Sequence, residues 1–314
     1  MNKKYDIITG LDLCVDFIVE CGNVTPQFNQ TEQLIEKYEL ELGGSSCIFA
    51  LQASKLGLKV AGVGSVGKDY FGKFILDKLN NNNIDISLIK VDKTIKTGVG
   101  IILNRHTDRA ILTYSGSIDG VYNWQFSDDL IRQAKHIHIG SYFLLKKLRP
   151  FLKDILIKCK SEQVTISLDT NWDPQDKWNG GLSEILPMVD VFLPNENEAK
   201  LISRQSNLTE AIQWLKDRIK VVVVKMGEKG AACYKGEVQY HLPCLNVSVT
   251  DTIGAGDSFD AGFIYGYLNG YKLEKCLQTA IICGSLSTRN PGGTGGQGYL
   301  KEILSHVDCP SQSE

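Results

Sequence analysis

The sequence has no excess of charge of either sign. Its 314 residues include 34 Lys and Arg against 36 Asp and Glu, which gives a formal net charge of −2. A nearly neutral chain generates no strong global field, so the composition argues against a nucleic acid or an anionic membrane as the partner. Small molecules are therefore the expected ligands.

Paired cysteines and long apolar runs are also missing. The nine cysteines form no C-x-x-C pair and have no histidines at zinc-finger spacing, so we expect reduced and mostly buried thiols. No uncharged apolar stretch reaches the roughly 18 residues that a membrane span needs. Asp6, Asp12 and Asp16 interrupt the first apolar run, which argues against a signal peptide. Together these absences predict a cytoplasmic protein.

The chain does contain a regular alternation of β-branched runs and amphipathic helical stretches. This order predicts an α/β fold with a doubly wound, mainly parallel sheet that helices cover on both faces. The predicted strands are Tyr5–Thr9, Lys59–Val63, His136–Ile139, Thr165–Leu168, Val191–Leu193 and Val221–Lys225. The predicted helices are Ser45–Leu56, Tyr70–Asn80, Pro150–Glu162, Glu196–Ser203, Leu208–Arg218, Asp257–Leu268 and Leu273–Thr288.

Two segments, about 12–42 and 97–116, break this alternation. In the second, the alternating strands Gly98–Leu103 and Arg109–Tyr114 flank a polar turn at 104–108. We interpret the two segments as a small antiparallel sheet, inserted discontinuously into the core, that forms a lid over a ligand site. No repeat or linker divides residues 1–314, so we expect a single domain.

Thr250–Phe263 is the most informative segment for chemistry. Gly254, Ala255 and Gly256 have almost no side chain, so successive backbone N–H groups can face an anion at the start of a helix. Asp257 follows at that helix start. Because like charges repel, its carboxylate suits the acceptance of a proton from an attacking hydroxyl better than the holding of a phosphate. Taken alone, the pattern is better explained as a loop whose Asp caps a helix.

The segment Gly62–Asp69 contains two nucleotide motifs in incomplete form. It reads G-x-G-x-x-G, with Asp85 about 20 residues further on, as in dinucleotide-binding enzymes. It also reads G-x-x-x-x-G-K, but Asp69 stands where a P-loop has Ser or Thr. We favour a tight strand-to-helix turn with Asp69 as the helix cap.

Motifs spread over nearly the whole chain occur in a characteristic order. They are the Gly43-Gly44 pair at a helix start, the N-x-x-E motif Asn195–Glu198, the strand and glycine turn Val221–Gly230, the segment Thr250–Phe263 and the loop Asn290–Thr294. With these motifs the chain resembles the ribokinase-like, or PfkB-type, carbohydrate kinases, which phosphorylate sugar or nucleoside hydroxyls with Mg-ATP. The resemblance implies a three-layer α/β/α fold with a mainly parallel sheet and a small discontinuous β-sheet lid.

The resemblance also implies roles for individual residues. Asp257 is the general base, and the amides of Gly254, Ala255 and Gly256 stabilise the charge on the transferred phosphoryl group. Glu198 and Asn195 organise Mg²⁺, partly through water. The residues implied for the nucleotide are Asn195, Lys225, Gly227, Gly254, Gly256, Gly292 and Gly293. Those implied for the acceptor are Asp12, Asp16, Gly43, Gly44 and Asp257. Asp251 is a candidate for a monovalent cation (K⁺) site of the kind that some relatives have.

Three positions depart from the family pattern. Ile48 replaces the usual Asn, so the acceptor pocket loses a polar contact. Lys225 replaces a small hydroxyl residue, which puts its nucleotide contact in question. Ser45 stands where phosphosugar kinases tend to have Lys, so we expect an unphosphorylated sugar, sugar derivative or nucleoside as the acceptor. Dimerisation through lid strands is expected from the same resemblance.

Three alternatives to a sugar kinase stay open from the sequence. One is a nucleoside kinase resembling adenosine kinase. Another is a ligand sensor on the same scaffold that has lost catalysis. The third is an NAD-dependent oxidoreductase built on Gly62–Gly67.

Overall fold

The computed structural model describes residues 3–105 and 108–307. The strands in these residues are β1 (Tyr5–Gly10), β2 (Cys14–Glu20), β3 (Lys37–Gly43), β4 (Val60–Gly67), β5 (Ile89–Asp92), β6 (Gly98–Arg105), β7 (Asp108–Tyr114), β8 (Ala134–Ile139), β9 (Thr165–Leu168), β10 (Val191–Phe192), β11 (Val221–Lys225), β12 (Ala231–Lys235) and β13 (Val238–Leu242). The α-helices are α1 (Ser45–Lys55), α2 (Tyr70–Asn81), α3 (Asp128–Arg132), α4 (Arg149–Ser161), α5 (Leu182–Ile185), α6 (Glu196–Ser203), α7 (Leu208–Lys216), α8 (Ala255–Leu268), α9 (Leu273–Ser287), α10 (Gly292–Gly295) and α11 (Leu300–Val307).

The main sheet has nine strands in the order β13-β12-β11-β10-β9-β8-β1-β4-β5. All neighbours from β11 to β5 are parallel, and β12 pairs antiparallel with both of its neighbours. The predicted strands all occur, whereas β5, β12 and β13 were not predicted. β12 and β13 form an edge hairpin outside the βα alternation. β5 is short and half exposed, so it lacks the continuous apolar pattern of the central strands.

Each face of the main sheet has its own apolar core. Ile8 and Val222 face one layer, which includes Leu152 of α4. Ile7 and Val221, their neighbours along β1 and β11, face the other layer with α1 and α8. Because successive strand residues point to opposite faces, near-continuous apolar strands fill both cores. The predicted three-layer α/β/α fold is confirmed.

A second sheet has the strand order β3-β2-β6-β7. It is built from the two predicted lid segments, but the prediction that it is antiparallel was wrong in one pair, because β2 and β6 run parallel. β2 follows β1 after three residues and β6 follows the β4–β5 region, so both strands leave the same edge of the main sheet in the same direction. Of the predicted polar turn at 104–108, residues 106 and 107 lie outside the described residues. We call this second sheet the lid.

The nucleotide-like segment belongs to a buried strand. Gly62–Gly67 lies within β4 and not in a turn, so the predicted turn begins only after Gly67. A Cβ on Gly62 would come within 2.3 Å of Leu11 Cδ1, so close packing explains this glycine. Asp69 caps α2 as predicted, accepting the Gly72 N–H at 2.8 Å. Asp85 accepts a hydrogen bond from the Tyr5 hydroxyl at 2.6 Å. This contact explains the residue without the ribose that the acidic residue of a dinucleotide-binding motif would bind.

The cysteines and helices agree with the composition. Seven of the eight described cysteines are buried and all eight are unpaired, with Cys244 exposed. Within residues 3–105 and 108–307, no helix is both long enough and apolar enough to cross a membrane.

Candidate active site

One edge of the main sheet collects the predicted site residues. β1, β9, β10 and β11 are parallel, so their carboxyl ends meet at the same edge. Asp12, Asp169, Asn195 and Lys225 stand at or just beyond these four strand ends. The lid extends from the same edge, since β2 begins two residues after Asp12. Two cavities open here and share Lys225 and Gly256 as lining residues.

Helix α8 begins at this edge with the glycine loop. Gly254 has φ 68°, a left-handed conformation that favours glycine. A Cβ at Gly254 would come within 2.8 Å of both Gly293 Cα and Ile48 Cγ2, so the surrounding chain also requires glycine. The first amides of a helix have no intrahelical acceptor, which leaves the N–H groups of Gly256 and Asp257 oriented towards an incoming anion.

Asp257 lies in the first turn of α8 and lines the cavity beneath the lid. Burial raises its pKa to about 7, and the negative charge of Asp169 adds to the effect. Lys225 and a hydrogen bond with Ser45 oppose the shift. A carboxyl that titrates near neutral pH is well matched to the acceptance and return of a proton.

The cavity beneath the lid has a volume of about 440 Å³ and two kinds of lining residue. We call the polar set its polar wall, which consists of Asp12, Asp16, Ser45, Asn171 and Asp257. We call the apolar set its apolar wall, which consists of Ile48, Ile102, Ile111, Ile118 and Leu144. We call it the acceptor cavity.

Asp12 is an anchor for the start of α1. Its carboxylate accepts the Ser45 N–H at 3.0 Å, the Ser46 N–H at 2.9 Å and the Ser141 hydroxyl at 2.5 Å. It is buried, and burial raises its pKa. Gly44 precedes α1 with φ 88°, where a Cβ would come within 2.2 Å of the Asp12 carbonyl oxygen. The predicted contact of Asp12 with substrate stays a prediction.

Asp16 projects from β2 between two glycines. A Cβ on Gly43 would lie 2.4 Å from Asp16 Oδ1, and a Cβ on Gly100 would lie 2.6 Å from it. The absence of side chains on the neighbouring strands therefore makes room for the carboxyl. Burial, and then the charge of Asp12, raise the pKa of Asp16 to about 7, although Arg109 opposes the shift.

Asp251 links the lid to the loops of the core. It accepts the Ile253 and Gly292 N–H groups at 2.9 Å each, and Arg109 Nη1 of the lid lies 3.9 Å from its Oδ1. The predicted K⁺ site at this residue stays a prediction. Gly293 packs against Ile48, where a Cβ would lie 2.4 Å from Ile48 Cδ1.

Asn195 and Glu198 form a capping box at the start of α6. Asn195 Oδ1 accepts the Glu198 N–H, and Glu198 Oε2 accepts the Asn195 N–H, both at 2.9 Å. Glu198 lines the acceptor cavity, and burial together with the Asp169 charge raises its pKa. The Asn195–Glu198 motif therefore caps the helix and also supplies a buried carboxyl whose charged form a cation would stabilise.

These two residues fit Mg²⁺. Mg²⁺ is usually held by one or two carboxylates, with water and phosphate oxygens as the remaining ligands. A buried acid whose neighbour is also acidic gains from a cation. In the described part of the chain no group of three or more His, Cys, Asp or Glu is arranged so that it could hold a metal ion.

The second cavity, of about 530 Å³, lies on the other side of Gly256. We call it the nucleotide cavity. Gly227 lines it, together with apolar residues that include Val247, Phe259 and Ile281. The predicted contact of Gly227 with a nucleotide stays a prediction. Gly292 and Gly293 are not among its lining residues in the described chain, so their contact with a nucleotide stays a prediction.

The arrangement of two cavities around a glycine loop and an acid agrees with a family comparison. The model for the pfkB family carbohydrate kinases matches residues 10–297. The chain belongs to the pfkB family of carbohydrate kinases. The predicted family and class of enzyme are thereby confirmed.

Individual relatives of this carbohydrate kinase cover almost all of it. It is 28% identical over 302 residues to the ATP-dependent 6-phosphofructokinase of Thermoanaerobacterium thermosaccharolyticum, covering 93% of this chain and 90% of the relative. It is 29% identical over 313 residues to the 5-dehydro-2-deoxygluconokinase of Clostridium botulinum, covering 91% of each. A ribokinase II candidate from Escherichia coli, solved with ATP and Mg²⁺, shares the fold with a TM-score of 0.84 and 24% identity, covering 98% of this chain and 99% of that one.

Several site residues of this pfkB-family kinase were missed by sequence reasoning. Asp169, Asn171 and Ser141 are among them, and so is Asp260 of α8. A signal existed for Asp169, which directly follows the predicted strand Thr165–Leu168 at the ligand-binding edge. Asp260 lies inside the Thr250–Phe263 segment, but its partner Lys225 belongs to strand β11, so the pair could not be inferred from the sequence.

Proposed function

We propose that this carbohydrate kinase transfers the γ-phosphoryl group of Mg-ATP to a hydroxyl of an unphosphorylated sugar, sugar derivative or nucleoside. The observation that carries the proposal is the position of Asp257. Its carboxyl lines the acceptor cavity, one residue beyond the Gly256 amide that borders both cavities. An acceptor hydroxyl beside Asp257 is thus directed towards the place where a nucleotide phosphate enters.

In this proposal Asp257 is the general base. The acceptor O–H gives its proton to the Asp257 carboxylate, the acceptor oxygen forms a bond to the γ-phosphorus, and the bond from that phosphorus to the β-phosphate oxygen breaks to release ADP. The amides of Gly254, Gly256 and Asp257 and the positive end of α8 stabilise the charge on the transferred group. The predicted Ala255 amide donates to the Thr252 carbonyl oxygen at 3.3 Å in this structure. Most of the catalytic effect would come from positioning and electrostatics.

Glu198 and Asn195 would hold the metal of Mg-ATP. When bound, Mg²⁺ neutralises phosphate charge. Ionisation of Glu198 is favoured by a nearby cation, so the raised pKa of this residue supports the assignment. K⁺ at Asp251 remains part of the proposal, as do the phosphate-side roles of Gly292 and Gly293.

The identity of the acceptor rests on the two walls of the acceptor cavity. Asp12, Asp16 and Asn171 suit hydroxyl groups, because carboxylates and amides accept hydrogen bonds from them. Ser45 in place of Lys supports an acceptor without phosphate. The apolar wall, which includes Ile102, Ile111 and Leu144, favours a nucleoside as the second candidate, since a base offers a flat apolar face that a simple sugar lacks.

The apolar outer face of the lid supports a homodimer as the assembly. Phe17 and Leu40 are cross-strand partners there, and Ile101 and Leu112 continue the same face across β6 and β7. A cytoplasmic location and the lack of nucleic-acid or membrane partners stay predictions from composition.

The test is ADP release with Mg-ATP over a panel of unphosphorylated pentoses, hexoses, sugar acids and nucleosides, with sugar phosphates as the contrast. We expect turnover on the order of 1–100 s⁻¹ with one unphosphorylated acceptor. Asp257→Asn should reduce kcat by about 10²- to 10⁴-fold. Exposed Asp154→Asn is the matched control and should not change it.

Other outcomes identify the alternatives. Binding of an acceptor and ATP without ADP release across the whole panel would point to a sensor. Calorimetric binding of NAD(H) would revive the oxidoreductase. Unchanged turnover in Asp257→Asn would contradict the base assignment while leaving the kinase class intact.

A further inference from the structure

Lys225 lies where the two cavities meet. It is the last residue of β11, and it lines both the acceptor cavity and the nucleotide cavity. Its Nζ lies 3.4 Å from the point where a Cβ on Gly256 would stand, so the ammonium is beside the first turn of α8. Lys225 and Gly256 are the two described residues that line both cavities.

Two buried acids hold the Lys225 ammonium. Asp169 Oδ2 lies 2.6 Å from Nζ, and both carboxyl oxygens of Asp260 lie 3.2 Å from it. The side chains of Asp169 and Asp260 are only 8% and 1% exposed, and that of Lys225 is 15% exposed. Burial disfavours the charged form of the lysine, but the surrounding acids, Asp169 first, raise its pKa above the ordinary value.

Stability alone does not account for this cluster. Buried ion pairs are often no more stabilising than apolar residues of the same volume, because removing charges from water is costly. Glu198 and Asp257 also interact electrostatically with this cation, so four carboxyls act on it. An anionic phosphate could not approach so many acids without a positive charge at the same place.

We propose that Lys225 is a catalytic residue that contacts the transferred phosphoryl group, and that Asp169 and Asp260 are positioning residues that hold its ammonium at the junction of the cavities. The proposal rests on the proposed kinase function. A lysine suits this role, since its ammonium acts as a compact point charge for phosphate. The Gly256 amide would donate to the phosphate from one side and Lys225 from the other.

Asp169 also connects Lys225 to the acceptor cavity. Its Oδ1 accepts the Asn171 N–H at 2.7 Å, while its Oδ2 takes the lysine. Asn171 has φ 54°, and its side-chain amide Nδ2 donates to Ser45 Oγ of the polar wall at 3.2 Å. One carboxylate thereby sets the geometry of a phosphate contact and of an acceptor contact, which predicts that changes at Asp169 alter the KM of both substrates.

The test separates contact with the transferred phosphoryl group from structural support by comparing ATP with ADP, which lacks that group. In Lys225→Met we expect ATP affinity, measured by calorimetry, to fall more than tenfold while ADP affinity stays within about twofold. Loss of one electrostatic contact to the transferred group should also lower kcat by about 10²- to 10³-fold. Lys153→Met, which changes an exposed lysine paired with Glu184 at 2.9 Å, is the control and should leave both affinities unchanged.

A second variant covers the case in which Lys225→Met does not fold because Asp169 is left without its cation. Lys225→Met/Asp169→Asn removes the cation and its closest acid together, and the same selective loss of ATP affinity is expected. Wild-type ATP affinity in a folded variant, or an equal loss of ATP and ADP affinity, would overturn the proposal. If the wild-type protein forms no ADP with any acceptor, the kinase proposal fails, whereas the binding comparison still decides whether Lys225 contacts phosphate.

Discussion

At the scale of single residues, the site is rich in carboxyls whose pKa is raised. Burial raises the pKa of Asp16 and Asp257 to about 7, and it raises that of Glu198 as well. Near neutral pH these groups are therefore divided between their neutral and charged forms, and a nearby cation favours the charged form. Activity and stability should therefore respond to pH in opposite directions.

The activity of the kinase should fall on the acid side of pH 7. Asp257 must be ionised to accept a proton, and Glu198 must be ionised to hold Mg²⁺. We expect kcat/KM to be level above about pH 7 and to decrease by more than tenfold per pH unit below it, because more than one carboxyl must lose its proton. Initial rates from pH 5 to 9 at fixed Mg-ATP would measure this. A limb of slope one would contradict this expectation, because it would mean that only one carboxyl must lose its proton.

The stability of the protein should increase when Asp257 is neutralised. A carboxyl whose pKa is raised by folding favours the native state at low pH, and this contribution is lost as the pH rises from about 4 through about 7. Asp257→Asn should therefore raise the free energy of unfolding by about 1–2 kcal/mol at pH 8, allowing for the partial exposure of the side chain, and by much less at pH 5. Denaturant unfolding at both pH values, with Asp154→Asn as the control, measures the difference. An equal gain at both values would contradict the electrostatic explanation.

At the scale of elements, the active site depends on three glycine-rich chain segments packed at the start of α8. Gly254 packs closely against Gly293 and Ile48. Asp251, in the same loop, accepts a hydrogen bond from the Gly292 N–H. Ile48, which replaces the family's usual Asn, is buried, lines the acceptor cavity and packs against the glycine loop. An apolar contact with this loop thus stands where the family pattern has a polar side chain.

Gly254→Ala should damage both the loop and the chemistry. The left-handed φ of 68° disfavours any Cβ, and this Cβ would lie 2.8 Å from Gly293 Cα. We expect a loss of stability of about 1–3 kcal/mol and a decrease in kcat of about 10²- to 10³-fold, because the loop amides move away from the phosphate. The matched control is Gly270→Ala, whose φ is 70° but whose Cβ meets nothing within 4 Å. That variant should lose stability and keep kcat, and an equal loss of kcat in both would refute the role of the loop.

At the scale of the whole molecule, the lid presents unlike faces to its two sides. Asp16 and Gly100 face the acceptor cavity, whereas Ile101, Leu112 and Tyr114 lie on the outer face and are 38%, 61% and 54% exposed. Tyr38 of β3 adds a ring that is 64% exposed. A neighbouring group of exposed apolar side chains of this kind is typical of an interaction surface.

We predict that this surface forms the interface of a homodimer. Sedimentation velocity should give twice the monomer mass for the wild-type protein at micromolar concentration. Leu112→Glu should shift it to the monomer, because an acid in an apolar interface would be buried without a partner. Ile157→Glu, at an apolar side chain of α4 that is 51% exposed, is the control and should stay dimeric. A wild-type monomer at all concentrations would exclude this assembly.

Sequence reasoning reached the fold and the chemical half of the site, but not the relations between distant segments. Asp257, Glu198 and Asp69 were found because each stands at a helix start, where local spacing is informative. Asp169, Asp260 and Asn171 were not found, since their roles depend on contacts among β9, β11 and α8. The parallel pairing of β2 with β6 was missed for the same reason, because about 80 residues separate the two strands.

The sequence by itself determined the α/β alternation, the glycine loop before Asp257, the capping box at Asn195 and the membership in a kinase family, because period and spacing are properties of neighbouring residues. Only the tertiary structure decided that Lys225 contacts both Asp169 and Asp260 where the two cavities meet. It also decided that Ile48 packs against the glycine loop. These relations arise from the order of strands in the sheet, which brings together the ends of segments that lie far apart along the chain.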